Sequence, residues 1–156
     1  MESHTQSSHG SGHYGRLMAM VALSFLAMYG LMYAMVDRWS NVFANVNQFY
    51  MAGLMAAPML LIELVLMASM YPNRRWNLLL KIAAIVFMVL CWLGIRQQWG
   101  VGDRQFARSM IPHHAGAILM CENNRVRDPR LQRLCADIIA SQRQEIEEMK
   151  AVLQQP

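Results

Sequence analysis

The chain has 156 residues, of which 55% are hydrophobic and only 15% charged; that length normally makes one domain, and the apolar share exceeds that of an ordinary soluble globule. So much apolar surface excludes disorder as the main state, and a formal net charge of +4 with only two lysines, Lys81 and Lys150, and no basic stripe sets nucleic-acid binding aside. Three cysteines, Cys91, Cys121 and Cys135, are too few for a disulfide scaffold, whereas 15 methionines are unusually many.

Residues 1–16 are rich in Ser and Gly and read as a flexible tail carrying His4, His9 and His13, either a weak cytoplasmic metal-binding tail or an inert one. The region 17–96 then holds three long apolar stretches. Residues 17–36 contain no charge, 49–71 contain only Glu63, and 77–95 contain only Lys81. Each approaches or meets the roughly 20 residues a helix needs to cross about 30 Å of hydrocarbon. Tyr33, Trp39, Tyr50, Tyr71, Trp76, Trp92 and Trp99 stand near their ends, where interfacial aromatics belong. A cleaved signal peptide is the rival reading of the first stretch, but its apolar run is longer than a signal core. Three buried helices of a soluble bundle should show a polar face, and the first shows none. The expectation is three transmembrane helices.

The first connection, 37–48, has one cation, Arg38, while the second, 72–76, has Arg74 and Arg75 with Lys81 close behind. Positive residues favour the cytoplasm, so the second connection is expected inside, the N-terminus cytoplasmic and the C-terminal segment periplasmic. Arg96, Arg104 and Arg108 weigh against that orientation. Glu63 and Lys81 read as a structural pair, or as a protonated acid with a snorkelling lysine, ahead of an ion path. Met28, Met32 and Met35 form one helical stripe and Met51, Met55 and Met59 another. Flexible packing is the ordinary use of such stripes, and a thioether funnel for Cu(I) is the sharper one.

Beyond the third stretch, Gly100-Val101-Gly102 breaks the helix and Asp103 reads as the N-cap of the next, which runs to about Asn123. Pro112 predicts a kink, or a restart capped by Ser109, directly before His113 and His114. Asp128-Pro129 starts a second helix that runs to about Leu153 with Leu131, Leu134, Ile138, Ile139, Ile146, Met149 and Leu153 on its inner side. Residues 103–154 are therefore expected to form an antiparallel helical hairpin, small for an independent core. It should dock on its own membrane helices or pair in a homo-oligomer, completing a four-helix bundle.

The run Asp103-x-x-Phe106-x-x-x-Met110-Ile111-Pro112-His113-His114, then Ala117-Ile118-x-Met120, resembles the signature of the bacterial domain of unknown function family number three hundred and five. Asp128-Pro129, Ile138-Ile139, Gln142, Glu145-Ile146 and Met149 resemble its second half. The resemblance covers about a third of the chain and is to the membrane-anchored, single-copy subgroup. It implies an all-α, ferritin-like fold of which this hairpin is half a bundle. It also implies export, heavy-metal resistance, and copper or silver held by Met and His.

The residues read the same way by themselves. Folding the hairpin about residues 127–128 sets His114 opposite Ser141 or Gln142, Met110 opposite Glu145, and Cys121 opposite Leu134 or Cys135. Met110, His114 and Cys121 share one face, and Cys135, Gln142 and Met149 recur at seven-residue steps on the partner. Thioether, imidazole and thiol groups along one seam select Cu(I) or silver, with zinc favoured only where thiolate and imidazole dominate. His113, about 100° round the helix from His114, is expected to face a neighbouring subunit, a second ion or a supporting partner. Cys121 and Cys135 read either as a disulfide or as a thiolate pair for metal; Cys91 reads as packing. No enzyme signature appears: HExxH, GxGxxG, a Walker loop, a nucleophile elbow and the Glu-x-x-His pairs of di-iron bundles are all missing. The expected function is a copper-binding membrane protein acting outside the cytoplasm in metal tolerance, as buffer, chaperone or exporter accessory. A copper-dependent redox enzyme and a structural subunit of a metal transporter are the alternatives.

Overall fold

The structure, a computed structural model, describes residues 7–155, with side chains from Gly12 onward. It is all-α: among the described residues there are five α-helices, α1 (Ser7–Leu31), α2 (Val46–Leu66), α3 (Arg74–Gln97), α4 (Asp103–Asn123) and α5 (Pro129–Gln154), and no strand. Short 3₁₀ turns lie at Met32–Met35, Trp39–Asn41 and Ala68–Met70. The last ten residues of the expected flexible tail, 7–16, belong to α1, so His9 and His13 are helical; His4 lies outside the described residues.

The chain divides into two compact units, the first formed by residues up to Gly30 together with Phe49–Trp99. Its three helices are long and apolar enough to cross a membrane. They enclose few side chains: Leu17, Leu60, Leu64, Tyr71 and Ala84 form a narrow core, while Leu23, Leu26, Ile62, Val65, Leu78, Ile82, Val86 and Val89 are exposed. An outward apolar surface is what a lipid-facing helix requires. Small residues set the close approach of α2 to α3: a methyl placed on Gly53 would lie 2.7 Å from the Cys91 Sγ, and one on Gly94 would lie 2.8 Å from the Tyr50 ring. Cys91 is buried there, as packing predicts.

At the end of this unit carrying Arg74 and Arg75, the Asn73 side chain caps α3 by accepting from the Arg75 and Trp76 amides at 3.1 and 3.2 Å. The Tyr14 hydroxyl donates to Asn77 Oδ1 at 2.6 Å and the Tyr14 ring packs on Tyr71. Glu63 accepts from the Tyr71 hydroxyl at 3.2 Å. The expected pairing of Glu63 with Lys81 is not among the ion pairs of the described residues. A tyrosine beside the acid supplies a donor without burying a second charge.

The second unit comprises Leu31–Gln48 and the segment from Gly100 onward. Helices α4 and α5 form the expected antiparallel hairpin, and residues 31–48 pack on it as a strap. Ile111, Ala115, Ile118 and Ile146 are the core, with Val36 and Phe43 of the strap and Met149 and Leu153 of α5 packed against them. Hydrogen bonds fix the strap: the Val46 amide donates to Gln105 Oε1 and Asn47 Nδ2 to Ser109 Oγ, both at 3.3 Å. The hairpin thus finds its missing cover in the chain's own first connection.

Some local expectations are corrected. Gly102, not Asp103, is the N-cap of α4, and Asp103 stands in its first turn, where its charge favours the helix dipole. α4 runs through Pro112 without a restart, and Ser109 accepts from Asn47 of the strap rather than capping one. Leu131 and Leu134 are about half exposed rather than inward; on this first part of α5 the residue turned to α4 is Cys135, bonded to Cys121. Met28 is in α1 but Met32 and Met35 fall in the following 3₁₀ turn, so these three share no single α-helical face. Met51, Met55 and Met59 do lie together on α2, with Met51 and Met55 exposed.

Candidate metal site

The hairpin seam is fixed at its loop end by a disulfide joining Cys121 and Cys135, with their Cα atoms 5.2 Å apart. Asn124 closes α4 beside it, its Nδ2 donating to the carbonyl of Cys121 at 2.8 Å and to Cys135 Sγ at 3.3 Å. Asp128 caps α5 by accepting from the Arg130 amide at 2.8 Å. Arg143 of α5 pairs with Glu122 of α4 across the outer edge. Bonded to each other, the two sulfurs are not thiolate ligands.

Two turns along α4 from the disulfide, His114 is buried, with a side chain 10% exposed. Its Nδ1 bonds the Met110 carbonyl at 2.9 Å. A carbonyl only accepts, so Nδ1 carries a proton and the ring is held with Nε2 outward. Nε2 meets Glu145 Oε2 at 2.6 Å, and that carboxylate is half exposed. The backbone bond thus fixes tautomer and ring orientation, as an outer-shell partner does for a ligating histidine.

The partner of His114 is therefore Glu145, not Ser141 or Gln142, and the reason is side-chain lean. On each helix long side chains point back toward their own N-terminus. The short cysteines report the backbone register, and it agrees with the expected fold about residues 127–128. The longer imidazole and carboxylate, leaning in opposite directions on antiparallel helices, meet about one turn further along. Glu145 was visible in the sequence as part of the signature, but backbone register alone assigned it to Met110.

His113 is exposed, and its ring centroid is 6.2 Å from that of His114 with the planes steeply inclined. The two imidazoles point apart, as adjacent helical positions do. Met149 packs against the core cluster of the hairpin, and Met110 stands one turn before His114. Gln142 Oε1 is enclosed without a donor. Among the described residues no three His, Cys, Asp or Glu side chains converge where an ion could sit. A metal held here by this chain must draw on thioethers or the Gln142 oxygen in addition to His114 and Glu145.

Residues 99–155 match the family described as Domain of unknown function (DUF305). Over 143 residues the chain is 36% identical to "Uncharacterized protein L153" of Acanthamoeba polyphaga mimivirus, an alignment that covers 88% of this chain and 90% of that protein. No solved structure matches. The chain belongs to the family of this mimiviral protein, with residues 99–155 as its DUF305 segment.

Proposed function

We propose that the protein is a membrane-anchored carrier of copper, as Cu(I), or of silver, acting outside the cytoplasm in metal tolerance as buffer, chaperone or exporter accessory. The observation that carries this reading is the fixed imidazole of His114. Its Nδ1 is tied to the Met110 carbonyl, and its Nε2 is directed at Glu145 on the facing helix. The 2.6 Å between nitrogen and oxygen is a hydrogen bond; a cation entering there replaces the shared proton and separates the two groups. With the thiols bonded to each other, imidazole, carboxylate and the thioethers of Met110 and Met149 make up the donor set. Thioether and imidazole suit Cu(I) and silver, and the carboxylate broadens the set toward Cu(II) and zinc. The enclosed, donorless Gln142 Oε1 is a further acceptor for a cation on this seam.

Two features support the setting. Three crossings would leave the first connection and the C-terminal segment on one side of the bilayer, and these two segments pack together as one unit. A disulfide there supports an oxidising compartment, the periplasmic side of a bacterial inner membrane in the reading from motif and loop charges. Anaerobic Cu(I) titration of the full chain in detergent, against a chromophoric chelator, tests the proposal. The double variant His113→Ala/His114→Ala should lose at least about tenfold in affinity, the scale expected for one lost ligand or its supporting partner. Unchanged affinity rejects the site.

A further inference from the structure

A second polar concavity lies in the outer unit away from His114. It has a volume of about 450 Å³ and is lined by Ser40 and Phe43 of the strap, Arg104 and Arg108 of α4, and Lys150 and Leu153 of α5, among others. Arg104 and Arg108 are four residues apart and share a helix face. Among the described residues no carboxylate lines it.

The three cations differ in how far they are satisfied. Arg104 donates through Nη1 and Nη2 to the carbonyls of Gln155 and Leu153 at 2.9 and 3.1 Å, which anchors it at the end of α5, and it has no carboxylate partner among the described residues. Lys150 has Glu147 at 3.2 Å on its own helix, a carboxylate 73% exposed and largely solvated. Arg108 has no carboxylate or carbonyl partner among the described residues, and its Nε is enclosed without an acceptor. A half-buried guanidinium with an unpaired, enclosed N–H is costly unless something outside the chain supplies the acceptor.

We propose that this concavity binds the phosphate group of an anionic ligand, with Arg108 as its principal contact and Arg104, Lys150 and Ser40 around it. Planar guanidinium forks suit tetrahedral oxyanions. The Phe43 and Leu153 walls, and a volume larger than a bare oxyanion needs, leave room for the esterified part of a phosphoester. The phosphate can come from the headgroup of an anionic phospholipid or from solution.

Two measurements on the full-length chain in neutral detergent separate the sources. Inorganic phosphate is titrated calorimetrically, and phosphatidylglycerol and phosphatidylcholine adducts are compared by native mass spectrometry. Saturable phosphate binding that weakens about tenfold or more in Arg108→Gln, the effect of losing one charge-assisted hydrogen bond, supports the site with a soluble ligand. Phosphatidylglycerol adducts that disappear in Arg108→Gln while phosphatidylcholine adducts persist support it with a lipid ligand. Lys150→Gln, on the other helix, should weaken the same binding, and Arg143→Gln, which pairs with Glu122 elsewhere, should leave it unchanged. Wild-type protein that takes neither ligand, or binding equal in wild type, Arg108→Gln and Lys150→Gln, overturns the proposal.

Discussion

Reducing the Cys121–Cys135 bond, or replacing both residues by serine, removes the covalent tie at the loop end of the hairpin. The two cysteines are 14 residues apart, and a loop of that size contributes about 3 kcal/mol by restricting the unfolded chain. The hairpin core is a handful of aliphatic side chains under a strap, so that contribution is a large fraction of its stability. If the hairpin opens as one unit, 3 kcal/mol corresponds to amide exchange roughly 150-fold faster across α4 and α5. Hydrogen exchange followed by mass spectrometry, on the full chain in detergent with and without reductant, reads this directly. The peptides covering α1 to α3 serve as the internal reference. Protection in α4 and α5 that is unchanged by reduction, or three free thiols in protein purified without reductant, refutes the reasoning. The same serine variant should keep its Cu(I) affinity, since bonded sulfurs are not in the donor set.

Gly94→Ala should destabilise the three-helix unit by about 1–3 kcal/mol, the usual range for overpacking. The added methyl meets the Tyr50 ring, whose hydroxyl is held by the Trp99 carbonyl at 2.9 Å; thermal unfolding in detergent checks this, and an unchanged midpoint contradicts it. The start of α5 should loosen in acid. The Arg130 guanidinium, followed by the Arg130 amide, holds the Asp128 carboxyl below its usual 3.8, so its contribution is full above that value and is lost as pH falls through the lower folded one. Amide exchange at residues 130–133, corrected for intrinsic rates, should rise on acidification in the wild type and stay flat in Asp128→Asn, which caps without titrating.

The helices were legible because their signals are local. Nearly uncharged runs of membrane length, Gly100-Val101-Gly102 as a break, and Asp128-Pro129 as a start each act within a few residues, and α4 and α5 end close to where those signals place them. The strap was not legible. Val36 and Phe43 look like the flank of a membrane helix, and nothing near them in the chain marks Ile111 or Ile118 as their partners. The site was legible in part for the same reason. Motif and spacing select His114, but its partner depends on how far two side chains lean across a gap, which backbone register does not encode. In the sequence Arg108 is one more cation beyond the third apolar stretch; that its Nε is enclosed without an acceptor among the described residues is a fact of three dimensions.

The strap has a consequence for biogenesis. Residues 31–48 leave the ribosome before the two long helices α2 and α3 and well before α4, so Val36 and Phe43 must wait uncovered until α4 and α5 arrive. Assembly of the second unit therefore waits for α4 and α5. A fragment made from α4 and α5 alone would be born without its lid, prone to stick to its neighbours through the face that the strap should occupy.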